Sequence, residues 1–217
     1  MCTNQNLTLH TDFNKIKNNY PNLKLNQEIV EGSMTVNIEN QKFVYLILIK
    51  ACNYPEELPK LYLKNSKHIK GVDRHIYEDG ECCIGVGKLE VFNKFEDSKI
   101  NIKDYLEHLV YPYLFSQSFY DYYGEWPFGE YSHGIDGLKE KLIEIFEVKN
   151  YKEVVSLYKR TIKGNIGKNR KCPCRHGKKY KDCHEKLINR ILNWEMHHLI
   201  GQYIDKIKEI EKYNNIK

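Results

Sequence analysis

The stretch "SMTVNIENQKFVYLILI", Ser33–Ile49, decides how the first half of the chain folds. In its first part Met34, Val36 and Ile38 fall on one side of an extended chain and Thr35, Asn37 and Glu39 on the other. That alternation predicts a half-buried strand. "IENQ" reads as a turn. "FVYLILI", Phe43–Ile49, is apolar throughout and predicts a central strand covered on both faces. "NYPEELPKLYLK", Asn53–Lys64, follows. Its two prolines fit a loop or strand entry, and Leu61 and Leu63 fit a third strand.

Ahead of these strands, residues 5–20 place Leu9, Phe13, Ile16 and Tyr20 near helical spacing, with Pro21 to end the helix. Downstream, Asn101–Tyr123 has apolar residues at 105, 106, 109, 110, 113 and 114, which predicts a helix kinked at Pro112. "GEWPFGEYSHGIDG" reads as a glycine-rich loop whose Trp126 and His133 either border a site or anchor the loop by packing, the latter being the expectation. Leu138–Val148 and Tyr151–Ile162 are two more amphipathic helices, with Asn150 placed to cap the second. Apolar residues at 188, 192, 196, 199, 203, 207 and 210 predict one long C-terminal helix. The fold class is therefore α+β: a helix, an antiparallel meander, then helices.

Length and composition limit the function classes. The 217 residues suit one ordinary domain with an appendage. The apolar run of Phe43–Ile49 is too short to span a bilayer, and "MCTNQNLTLHTD" lacks a basic-then-apolar signal pattern. The expectation is a soluble cytoplasmic protein with no membrane partner. Net charge is +5, and "KGNIGKN", with no core residues, marks a domain boundary. Past it, Lys168, Arg170, Lys171, Arg175, Lys178, Lys179, Lys181 and Lys186 face only Asp182 and Glu185. The basicity belongs to this C-terminal segment. It is either a solvated surface or a face for nucleic acid, the ribosome or an acidic protein.

The seven cysteines, at 2, 52, 82, 83, 172, 174 and 183, are odd in number and unevenly spaced, which argues against a secreted disulfide framework. In a reducing compartment, clustered cysteines point to metal ligands or to a nucleophile. Cys52, following a core strand, is expected to pack.

"KCPCRHGKKYKDCHEK", Lys171–Lys186, offers metal ligands. Cys172 and Cys174 flank a proline, and Cys183 and His184 follow after eight residues. Three sulfurs and one imidazole fill a tetrahedral zinc shell with no open position, which implies a structural metal and disfavours a metal-dependent hydrolase. The run resembles the SEC-C motif, the zinc-binding tail of the bacterial preprotein-translocase motor: Cys-x-Cys, a glycine with Lys-Tyr, then Cys-His. It departs at Arg175-His176, where that family carries Gly-Ser. His176 competes as a ligand, and the alignment assigns His184. The cofactor implied is structural Zn2+, held by Cys172, Cys174, Cys183 and His184.

"DRHIYEDGECCIG", Asp73–Gly85, places two adjacent cysteines just after a turn. With Tyr54, Pro55, Pro59 and Lys60 ahead of it, this order resembles the ubiquitin-conjugating (UBC) fold over roughly residues 5–148. Tyr54, Pro55, Pro59 and Lys60 match its Tyr-Pro-x-x-x-Pro-Lys motif. His75 matches the histidine of its His-Pro-Asn triplet, and Gly80, Cys83 and Ile84 match its Gly-x-x-Cys-aliphatic motif. The link between the motifs, "NSKHIKG", is a few residues longer here, and Tyr77 stands where the family has asparagine. The C-terminal part looks more like prokaryotic members, some of which sit in CBASS-type antiviral systems and attach the C-terminus of a cyclic-nucleotide-making enzyme to a target.

The resemblance implies an acyl transferase in which Cys83 is the nucleophile carrying a protein C-terminus as a thioester. His75 braces the active-site loop, and Cys82 is a buried neighbour. Cysteine suits the role because its thiolate is both a nucleophile near neutral pH and a good leaving group. The partners implied are an activating enzyme and a protein whose C-terminus is conjugated, in the antiviral systems a cGAS-like nucleotidyltransferase. The contrasting reading is an inactive UBC-like scaffold whose basic zinc module binds nucleic acid, ribosome or an acidic protein. The domain expectation is 1–149 UBC-like, 150–167 helix and linker, and 168–217 zinc module with its C-terminal helix.

Overall fold

A computed structural model describes residues 6–64, 74–85, 88–95, 100–127, 134–162, 164 and 166–214. The protein is mixed α+β and divides into two compact units, 1–130 and 131–217.

The first unit begins with α1, Leu7–Ile16, whose Asn6 side chain accepts from the Leu9 amide and so satisfies an otherwise orphaned donor. Leu9, Phe13 and Ile16 are its buried stripe. Four antiparallel strands follow in sequential order: β1 Leu23–Asn26, β2 Ile29–Ile38, β3 Gln41–Lys50 and β4 Lys60–Leu63. Hairpin β2–β3 pairs Ile38 with Gln41, so the turn is the two residues Glu39 and Asn40, with Glu39 at φ 51°. A tight turn of this kind needs a positive φ.

β3 is not covered on both faces. Tyr45, Ile47 and Ile49 are buried, but Val44 and Leu46 are exposed at 47 % and 44 %. The covered face lies against helix α4, Tyr111–Tyr123, where the Tyr45 hydroxyl and Ser118 Oγ are 2.9 Å apart in the core. Sequence hydrophobicity does not distinguish a two-faced strand from an alternating one whose outer face is also apolar. β1 and a short helix, α2 (Lys88–Lys94), were not anticipated.

The helical arm at 102–123 runs through Pro112 without a break between its parts: α3 (Ile102–Tyr105), a π-helical turn (Leu106–Val110), then α4. All six apolar positions named from the sequence are buried. Pro112 has no N–H to give to the carbonyl four residues back, that of His108. Lys94 Nζ donates to that carbonyl instead, at 3.2 Å. The irregular turn where the expected kink would fall is an accommodation to proline.

The second unit holds α5 (Ile135–Ile145), α6 (Tyr151–Leu157) running into a π turn at Tyr158–Ile162, the cysteine cluster, α7 (Glu185–Asn193) and α8 (Met196–Asn214). Asn150 caps α6 as expected: its side chain accepts from the Glu153 amide at 3.1 Å, and Glu153 accepts in turn from the Lys149 amide at 3.2 Å. The single long C-terminal helix is instead two, broken at Trp194 and Glu195, where Glu195 has φ 56°. The break moves the buried face. Ile188, Ile191, Met196, Ile200, Ile204 and Ile207 face inward, and Leu192 is 39 % exposed. A spacing of three and four survived the break by coincidence, because a two-residue interruption shifts the helical phase.

Candidate functional sites

Around Cys83 the chain makes a small hairpin. Ile76 bridges Cys82, Tyr77 N donates to Glu81 O at 2.9 Å, and Gly80 N donates to Tyr77 O at 2.9 Å. Gly80 has φ 84° with open space where a Cβ would stand, so it is conformation and not crowding that calls for glycine here. The Cys82 amide donates to Leu61 O at 2.8 Å, which fastens the hairpin to the edge of β4. The Cys83 amide donates to His75 O at 2.6 Å.

Successive side chains of an extended segment point to opposite sides. Cys82 is 2 % exposed, and burial pushes its thiol up to about 11. Cys83 is half-buried and lines a cleft of about 280 Å³ with Pro59, Lys60, Glu81, Glu90 and Leu109. Burial also acts to raise the Cys83 thiol, but hydrogen bonds from His75, from the Tyr77 hydroxyl and from the Gly85 backbone outweigh it. The net movement is downward from the ordinary cysteine value. The Tyr77 hydroxyl donates to Cys83 Sγ at 3.1 Å, and Tyr77 is itself 56 % exposed.

His75 stands at φ 54°, its ring edge-on to Trp126 with centroids 5.6 Å apart. Arg74 holds this corner. Its carbonyl accepts from Gln117 Nε2 at 2.9 Å and from the Tyr113 hydroxyl at 3.3 Å, its guanidinium pairs with Asp121, and the same guanidinium covers the Tyr120 ring at 4.8 Å. Trp126, half-buried, thus packs on the residue that reaches the sulfur. His133 lies outside the described residues.

The Tyr54–Lys60 loop is tied down from two sides. The Tyr54 hydroxyl donates to Asp12 Oδ2 at 2.7 Å, and the fully buried Tyr105 donates to Pro59 O at 2.7 Å. Lys60 then reaches Glu81 at 2.6 Å across the rim of the cleft. Sequence reading did not single out Glu81, Glu90 or Leu109 as cleft residues. Nothing local marks them, since they meet Cys83 only through the fold. Cys52 does not pack: it is exposed and disulfide-bonded.

In the second unit, Cys172, Cys174, Cys183 and His184 converge. One ligand atom from each lies within 4.8 Å of all the others, and the four can hold a metal ion. Cys172 Sγ and His184 Nδ1 are 3.3 Å apart, Cys174 Sγ and Cys183 Sγ 3.5 Å, and Cys183 Sγ and His184 Nδ1 3.1 Å. The scaffold is a tight loop in which Cys172 N donates to Lys178 O at 2.9 Å, and Arg175 and Gly177 take φ 63° and 82°. Burial raises the Cys172 thiol, and burial with the neighbouring sulfurs pushes Cys183 up to about 12. A cation is what would favour the thiolates.

His184 Nε2 is 2.8 Å from Phe146 O. A carbonyl only accepts, so Nε2 carries the proton and Nδ1 turns its lone pair to the sulfurs, the arrangement a metal-bound imidazole takes. His176 is outside the cluster, 3.9 Å from Glu153. Around the loop all eight basic residues are exposed, and Lys168 pairs with Glu185 at 2.9 Å.

No family model, curated protein or solved structure matches the chain. No helix among the described residues is long and apolar enough to cross a membrane.

Proposed function

We propose that the chain is a ubiquitin-conjugating-like acyl carrier joined to a SEC-C-like zinc module, with Cys83 taking a protein C-terminus as a thioester and passing it to an amine on a target. The observation that carries this reading is the unequal pair. Cys83 faces a cleft with two side-chain donors on its sulfur and a lowered thiol, while Cys82 beside it is buried with a raised one. A nucleophile needs that combination of access and thiolate character. The chain order also supports it: α1, a four-strand meander, a tied-down Tyr-Pro loop, the cysteine hairpin, then helices. The CBASS-type antiviral setting rests on resemblance alone.

In loading, the Cys83 thiolate attacks the carbonyl carbon of an activated acyl thioester. A new C–S bond forms, the donor's C–S bond breaks, and the donor departs as a thiolate that takes up a proton. In transfer, an amine attacks the same carbon, Cys83 leaves as thiolate, and the amine proton passes to solvent. His75 holds the sulfur's side of the loop through its backbone carbonyl and its ring. Zinc held by Cys172, Cys174, Cys183 and His184 would be structural, since four protein ligands leave no position for substrate.

A second reading is an inactive scaffold tethered to nucleic acid, favoured by the exposed Arg170, Arg175, Lys178, Lys179 and Lys181. The deciding experiment supplies the chain with candidate activating enzymes and acyl donors and looks for a thiol-sensitive mass increase on denaturing gels. Cys83→Ser is expected to give a thiol-resistant oxyester and Cys83→Ala nothing. An adduct persisting in Cys83→Ala overturns the assignment.

A further inference from the structure

His75 stands at φ 54°, a conformation that a residue with a side chain keeps only where its surroundings impose it. The peptide groups on either side of it are both held. The Arg74 carbonyl before it accepts from Gln117 Nε2 at 2.9 Å and from the Tyr113 hydroxyl at 3.3 Å. Its own carbonyl accepts from the Cys83 amide at 2.6 Å. Peptide groups are planar, so holding both planes fixes the two torsions between them and with them the direction of the His75 side chain. The Trp126 ring, edge-on at 5.6 Å, lies against the imidazole, which hydrogen-bonds the Cys83 sulfur.

The hold on Arg74 comes from one helix. Tyr113, Gln117 and Asp121 lie four residues apart along α4 and so share a face. Gln117 takes the Arg74 main chain, Asp121 takes its guanidinium, and the Tyr120 ring lies under that guanidinium at 4.8 Å. Gln117 is fully buried, and a carbonyl only accepts, so its amide nitrogen is the end that faces Arg74. Its Oε1 has no partner among the described residues. An apolar side chain of like size would fill the space without burying an unmatched acceptor, so the N–H is what the position keeps. We propose that Gln117 is a positioning residue for Cys83: by holding the Arg74 carbonyl it keeps His75 in the backbone conformation that brings the imidazole to the sulfur, with Asp121 supporting it from the guanidinium side. This rests on the reading of Cys83 as the nucleophile, not on what Cys83 carries. Gln117 hydrogen-bonds to neither cysteine, so its influence on the sulfur passes through Arg74 and His75. Tyr113 also meets the Cys82 thiol and is therefore left in place in the test.

The test uses the full chain. Peptide mass spectrometry follows iodoacetamide alkylation of Cys83 across pH, and denaturant unfolding follows stability. Gln117→Met is expected to move the Cys83 profile up by about one pH unit, which makes alkylation about tenfold slower on its acid limb. Ser118→Ala removes an equally buried polar group from the same helix, one bonded to Tyr45 instead. It should lower stability and leave the profile in place. In a His75→Gln background Gln117→Met should add no further shift, because the path it acts through is already cut. Asp121→Asn, at an exposed position, takes over the test if Gln117→Met does not fold. Losing a negative charge would by itself lower a thiol, so an upward shift in that variant reads the hold on Arg74. Lys60, Tyr77, Glu81 and Glu90, which line the same cleft, stay unaltered throughout. A profile left in place by Gln117→Met or its substitute, or a shift of equal size in the His75→Gln background, overturns the proposal. If the shift appears and Cys83 takes no acyl group from any donor supplied, the positioning role stands and the acyl-carrier reading fails.

Discussion

The His184 imidazole donates through Nε2 to the carbonyl of Phe146, 2.8 Å away, and Phe146 caps the C-terminus of α5. The bond links the Cys/His cluster to the corner between α5 and α6, where Glu147 takes φ 50°. A ligand held this way would transmit the state of a bound metal to that corner. Purified protein is expected to contain one zinc per chain, and Cys172→Ser or Cys183→Ser to lose it. Chelation should remove amide-exchange protection over 165–186 and also at 146–148, while β2 and β3 keep theirs. Metal-free fresh protein, or protection at 146–148 unaltered by chelation, would count against the link.

The basic loop gives a prediction that separates a binding face from a solvated one. If Arg170, Arg175, Lys178, Lys179 and Lys181 contact phosphates, log affinity for a single-stranded oligonucleotide falls linearly with log salt, at about 0.7 per contact. Lys178→Glu with Lys179→Glu should then abolish binding at low salt. Binding unaffected by salt, or absent at low salt, identifies the face as solvated or protein-docking.

Packing in the second unit offers a stability test. Gly201 on α8 is buried, and a Cβ there would stand 2.2 Å from the Tyr158 hydroxyl, which donates to His197 O at 3.0 Å. Gly201→Ala must displace a 6 % exposed tyrosine or open the helix contact, and should destabilise by about 1–3 kcal/mol in denaturant unfolding. Adding Tyr158→Phe removes the nearest atom and leaves the ring carbon at 3.2 Å, so the double variant should recover part of that loss. Strict additivity of the two changes would show that the contact is not the cause.

Much of this architecture was legible because it depends on local pattern. Met34, Val36 and Ile38 alternate and all are buried, and Asn150 caps α6 where a capping residue precedes an amphipathic run. The convergence of Cys172, Cys174, Cys183 and His184, which can hold a metal ion, was legible because they lie close in sequence, where one loop can gather them. What escaped depends on partners distant in the chain. Val44 and Leu46 read as buried because apolarity says nothing about which face another element covers. The break at Glu195 escaped because apolar residues on both sides kept helical spacing through a change of phase. Glu90 and Leu109 reach the Cys83 cleft from helices that sequence alone cannot dock.

The two adjacent cysteines give the last prediction. Burial pushes Cys82 up to about 11, while the donors on Cys83 bring it below the ordinary thiol value. Alkylation proceeds through the thiolate, so its rate rises with pH up to each group's own value. In the native protein near pH 8, iodoacetamide should modify Cys83 much faster than Cys82, as read by peptide mass spectrometry, and Cys82 should react mainly after unfolding. The sign for stability follows from the same shift. A thiol whose folded value is depressed binds fewer protons when folded, so its ionisation stabilises the fold above the ordinary cysteine value, and that contribution fades as pH falls through the folded one. Removing a donor must therefore move the alkylation profile of Cys83 to higher pH. His75→Gln with Tyr77→Phe should do so more than either change alone, while Cys82→Ala should leave the profile in place. A Cys83 profile unmoved by losing both donors would show that the hydrogen bonds at its sulfur do not set its reactivity.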